Sequence, residues 1–88
     1  MIPNLAIPVN QWVNIYQETG IEVGTKIMVF NVGDFDVRLT TALHEPPLDH
    51  DDFVILEKGG FPLANDQGDV GAWAFAQSYS KVKVRVIS

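Results

Sequence analysis

Apolar residues recur along this chain at every second position, and Gly, Asn, Asp and Pro interrupt them at short intervals. That period belongs to β-strands, whose side chains alternate between two faces. No helical period stands out. Trp12, Asn14 and Tyr16 fall on one side of a short extended run, with Val13 and Ile15 on the other, and a turn is expected at Glu18-Thr19-Gly20. A stronger strand begins at Thr25, where Ile27 and Val29 alternate with Met28 and Phe30. Both of its faces are apolar, as in a central strand or one covered by another subunit. Asn31-Val32-Gly33-Asp34 reads as a hairpin turn, with Gly33 supplying a positive φ.

Beyond that turn, Val37, Leu39, Thr41 and Leu43 alternate with Asp36, Arg38, Thr40 and Ala42, the pattern of a strand with one dry and one wetter face. His44-Glu45-Pro46-Pro47-Leu48-Asp49-His50-Asp51-Asp52 follows. Two prolines and a run of ionisable groups cannot build a central strand, so this is a surface loop. Phe53-Val54-Ile55-Leu56 is a short apolar strand that stops at Lys58-Gly59-Gly60, and Phe61-Pro62-Leu63 is extended at a sheet edge because Pro62 has no N–H to donate. Residues 64–71 form a turn-rich loop. Ala72-Trp73-Ala74-Phe75-Ala76 alternates large and small side chains, Gln77 to Ser80 is expected to make a turn, and Val82, Val84 and Val86 close the chain against Lys81, Lys83 and Arg85. Seven or eight short strands at about 8–12-residue spacing predict an all-β domain, a small antiparallel β-sandwich or barrel, spanning residues 1–88 as one unit.

Composition narrows what such a domain does. Among 88 residues there is no Cys, which removes disulfides, iron–sulfur clusters, thiolate zinc sites and a Cys nucleophile together. With 47% hydrophobic and 19% charged residues the chain is expected to fold rather than stay disordered. The formal net charge of −5 argues against wrapping a nucleic-acid backbone. No apolar run approaches the roughly 20 residues of a membrane-spanning helix. Residues 1–9 carry no Lys or Arg and are broken by Pro3 and Pro8, so no signal peptide is expected.

Candidate chemistry concentrates in the acidic loop. Its carboxylates suit a hard cation, and His44 and His50 with Asp49 and Asp52 suit a transition metal. The spacing is not that of an EF-hand, however, and adjacent Asp51 and Asp52 point apart in an extended chain. A solvated loop is therefore expected, with no metal and no cofactor. Ser78, Ser80 and Ser88 are the only serines, and none stands in a Gly-x-Ser-x-Gly elbow. Gly20, Gly24 and Gly33 form no phosphate-binding fingerprint. The domain is not expected to be an enzyme. Tyr79 with Lys81, Lys83 and Arg85 forms either a basic edge for an acidic partner or a last strand whose charges block unwanted pairing, the second being the expectation.

Trp12, Tyr16, Met28, Phe30, Trp73 and Phe75 are the large side chains to be divided between core and subunit interface. The alternative for such rings, if exposed, is a sugar-stacking platform, which would make the chain a carbohydrate-binding module. A core this small is more comfortable in a homo-oligomer, where association buries further area.

Several segments resemble small virion proteins of tailed bacteriophages: Ile7-Pro8-Val9-Asn10-Gln11-Trp12, Tyr16, Thr19-Gly20-Ile21, and Val23-Gly24-Thr25 leading into Lys26-Ile27-Met28-Val29-Phe30-Asn31. Gly60-Phe61-Pro62-Leu63, Gly71-Ala72-Trp73-Ala74-Phe75 and Val82-Lys83-Val84 are similar too, whereas the acidic loop has no counterpart in that pattern. The resemblance implies a non-enzymatic structural subunit located on the virion, as a capsid decoration, a head-fibre base or a neck or tail component. Its partners would be copies of itself and other virion proteins, with no nucleic acid and no membrane.

Overall fold

In the computed structural model, which describes residues 4–60, 62–65 and 71–87, the alternation resolves into eight strands in two antiparallel four-stranded sheets. The front sheet has the order β1 (Leu5–Ile7), β8 (Ser80–Val86), β3 (Ile27–Asn31), β6 (Leu63–Asn65). The back sheet has the order β2 (Val13–Asn14), β7 (Trp73–Phe75), β4 (Val37–Thr40), β5 (Val54–Leu56). A lone parallel bridge joins Val9 to Ala76. This is the small β-sandwich expected from the spacing of the strands.

The core lies between the sheets and is built from one side of each pleat. Ile7, Ile27, Val29, Val82 and Val84 come from the front sheet, and Val13, Val37, Leu56 and Ala74 from the back. Cross-strand register keeps these together, with Val29 opposite Val84 and Val37 opposite Leu56. A slip of one residue in β8 would turn its valines to solvent and bury Lys81, Lys83 and Arg85, so the alternation fixes the register.

Four local expectations are corrected. The run from Trp12 to Tyr16 is not extended throughout: after β2 the chain makes one turn of helix, α1 (Ile15–Thr19). Asn14 caps it, its Oδ1 accepting from the Gln17 N–H at 3.1 Å, and Gly20 ends it in the left-handed conformation at φ 75°. A single turn is too short to imprint a helical period. Asn31-Val32-Gly33-Asp34 is not a hairpin either, because β3 and β4 lie in different sheets and the segment crosses between them. Gly33 has no positive φ; glycine is needed there because a Cβ would collide with the Ser80 hydroxyl and the Lys81 N–H. Ser80, expected in a turn, opens β8 and is buried. Finally, β8 is not an edge strand, since β1 and β3 flank it on both sides. The edges are β1 and β6 in front, and β2 and β5 behind. Phe61 and residues 66–70 of the turn-rich loop lie outside the described residues.

Candidate functional site

The outer face of the back sheet carries a second apolar cluster. Because Ala74 points into the sandwich, the pleat sends its neighbours Trp73 and Phe75 outward, where they join Trp12 with half-buried Ala42 and Phe53 against them. Trp12 and Phe75 are tilted rings with centroids 5.1 Å apart. Arg38, opposite Phe75 and Ile55 in the sheet, lays its guanidinium 4.5 Å from the Phe53 ring centroid and 5.5 Å from that of Phe75.

The acidic loop covers this cluster. The Trp12 indole N–H donates to the Pro47 carbonyl at 3.0 Å, and that of Trp73 donates to the Ala42 carbonyl at 3.0 Å. Pro46 is buried. His50 stands edge-on to Trp12, with ring centroids 5.8 Å apart. Its Nε2 lies 2.9 Å from the Asp52 carbonyl oxygen, which can only accept, so Nε2 carries the proton. The Thr40 hydroxyl donates to the same carbonyl at 2.8 Å. Prolines and aromatic anchors thus hold the backbone down, while the side chains of His44, Glu45, Asp49, Asp51 and Asp52 remain exposed.

This arrangement places each residue singled out from the sequence. Trp12 (5% exposed), Tyr16 (1%), Trp73 (8%) and Phe75 (5%) are all buried within the chain itself. Tyr16 belongs to the inner core, and its hydroxyl donates to the Thr25 carbonyl at 2.7 Å. These four therefore lie on the core side of the division, and none of their rings offers the exposed stacking surface that a sugar platform requires. Met28 and Phe30 remain half-buried on the outer face of the front sheet. Of the metal candidates His44, Asp49, His50 and Asp52, His50 uses its Nε2 proton on a backbone carbonyl, and among the described residues no three His, Asp or Glu side chains are placed to hold one ion.

The front sheet presents a different outer face. Lys81, Lys83 and Arg85 project from β8 at alternate positions and are exposed, while Val82 and Val84 between them are buried. Met28 lies opposite Arg85 and Phe30 opposite Lys83 on the adjoining strand, and Ala6 lies opposite Lys81. Three of the chain's six Lys and Arg thus share one face with two large apolar side chains, and none of the three forms an ion pair among the described residues. The charges cannot be guarding an edge, since β8 has none. Sequence reasoning had the row of cations but not its central place, which depends on the pairing with β1.

A recess of about 320 Å³ opens between the sheets on the β5–β6 side, lined by Ile15, Val29, Leu39, Phe53, Val54 and Leu63 among others. Asp52 is its one ionisable lining residue among those described, and it has two threonines beside it, Thr40 and Thr41. The lining suits an apolar group. Compared with known proteins, the chain matches no protein-family model, no curated protein and no solved structure.

Proposed function

We propose that this chain is a non-enzymatic structural subunit, a virion protein of the tailed-bacteriophage kind, that docks repeatedly onto a protein lattice through the outer face of its front sheet. One observation carries the docking role. The back sheet's aromatic face is sealed by the chain's own loop, whereas the front face sets Met28 and Phe30 beside three cations that have no carboxylate partner among the described residues. Apolar side chains framed by charge make a surface suited to a partner, the apolar area giving affinity and the charge giving orientation. The likeness of the strand and turn segments to small phage virion proteins supplies the virion context. Both features agree with a domain that acts by position rather than by turnover.

The test uses the purified 88-residue protein with particles assembled without it. Co-sedimentation with the particles is expected, and Phe30→Asp is expected to reduce it at least about tenfold, the effect of losing a central apolar contact. Circular dichroism unchanged from wild type would show that the variant stays folded. A folded protein that leaves the particles bare would overturn the assignment.

A further inference from the structure

Resting on that reading, we infer that copies of this chain stack head to tail, the first seated on the lattice and the cationic front face of each further copy seated on the 44–52 loop of the one before it. Both complementary surfaces belong to one chain and lie on opposite sides of the sandwich. In front, Lys81, Lys83 and Arg85 stand at alternate residues, about 7 Å apart, so the row runs about 14 Å along the strand. Behind, Glu45, Asp49 and Asp51 are exposed on a loop whose backbone is pinned by Trp12, Thr40 and His50. Carboxylates carried on a fixed frame lose little freedom when they pair.

The apolar parts correspond as well. The chain segment that carries these carboxylates exposes Leu43 (66%) and Leu48 (67%), and the front face offers Met28 and Phe30 among its cations. Each surface therefore brings leucine- or phenylalanine-sized groups together with charge, of opposite sign on the two. Other polyanions fit less well. Beyond Lys81, Lys83, Arg85 and nearby Lys26, the rest of the chain has only Arg38 and Lys58 against 11 Asp and Glu, so it would be repelled from a nucleic acid or an anionic membrane. A second copy turned the same way meets the cations with its loop.

Such a contact joins two different patches, so it propagates into a ring or an open stack rather than closing as a symmetric pair. Four strands at about 4.8 Å and seven residues at about 3.4 Å give the front face roughly 19 by 24 Å. That is less than the roughly 800 Å² per partner of a standard interface. The stack is accordingly expected to depend on protein concentration and to dissolve as salt screens it.

Sedimentation velocity on the whole protein tests this. At low salt the average mass is expected to climb above 9.8 kDa with concentration, and to return to it in about 0.5 M salt. The variants K81Q/K83Q/R85Q and E45Q/D49N/D51N, each checked for unchanged circular dichroism, are each expected to need at least about tenfold more protein to associate. Mixed one to one, they retain one intact patch of each kind and should form pairs that grow no further. A mass indifferent to both sets of substitutions, or a mixture that does not pair, would overturn head-to-tail stacking. So would a monomer that binds anionic vesicles or duplex DNA instead. A protein that stays monomeric yet still co-sediments with particles through Phe30 would overturn the stacking alone and leave the structural role standing.

Discussion

The Trp12 indole N–H donates to the carbonyl of Pro47, 35 residues further along the chain, at 3.0 Å. This bond joins the start of the back sheet to the acidic loop and fixes the loop over Trp73 and Phe75. It also keeps the back sheet's aromatic rings out of reach of a partner.

Trp12→Phe should retain a ring in the cluster while deleting the donor. The lost hydrogen bond and the reduced packing together are expected to cost about 1–3 kcal/mol in urea unfolding. Amides of the 44–52 loop should exchange faster with solvent than in the wild type. Loop exchange identical to wild type would show that the indole does not hold the loop down.

Asn31 and Ser80 make an ordered pair of expectations. The Asn31 amide donates to the Phe35 carbonyl at 2.8 Å and the Leu56 carbonyl at 2.9 Å, and its Oδ1 accepts from the Gly33 N–H at 3.0 Å. The buried Ser80 hydroxyl also donates to the Phe35 carbonyl, at 2.9 Å. After Ser80→Ala that carbonyl still has the Asn31 amide, so a loss of about 1 kcal/mol is expected. Asn31→Ala takes the side-chain partner from both the Leu56 carbonyl and the Gly33 N–H, while the Phe35 carbonyl keeps the Ser80 hydroxyl, and should cost clearly more, about 2–3 kcal/mol. The reverse order, in chemical denaturation of the two variants, would contradict this account of the crossover.

Two glycines separate backbone conformation from space. At Gly20 a Cβ meets nothing within 4 Å, and the obstacle is the left-handed φ of 75°, so Gly20→Ala should cost about 1 kcal/mol. At Gly33 the obstacle is the Ser80 hydroxyl and the Lys81 backbone. Gly33→Ala must shift β8 or the crossover, and a larger loss of about 2–3 kcal/mol is expected, in the range of overpacked sites. Thermal melts of the two variants decide the order, and equal melting temperatures would refute it.

How far the sequence reveals the molecule follows from the range of the forces involved. Strand alternation is a local property, so β8 with its buried Val82 and Val84 and exposed Lys81 and Lys83 was readable directly, as was the central place of the doubly apolar β3. Pairing is non-local. Nothing within residues 80–86 says that residues 5–7 will lie beside them, so the cations of β8 looked like guards of an edge. The turn at Asn31-Val32-Gly33-Asp34 has hairpin chemistry yet crosses between sheets, because sheet membership is settled by partners elsewhere in the chain. The aromatic cluster was similarly hidden. Trp73 and Phe75 share a side of the pleat in sequence, but that a loop rich in proline and aspartate would roof them depends on indole N–H groups finding the carbonyls of Ala42 and Pro47.

The central claim is that Met28 and Phe30 on the front face engage a partner while the aromatic rings of the back sheet are closed off by the chain's own loop. Hydroxyl-radical footprinting of dilute free protein against the assembled or particle-bound form tests it most directly. Met28 and Phe30 should lose reactivity on assembly, while Trp12 and Trp73 stay protected in both states. Met28 and Phe30 equally reactive in both, or tryptophans shielded only after assembly, would contradict the account.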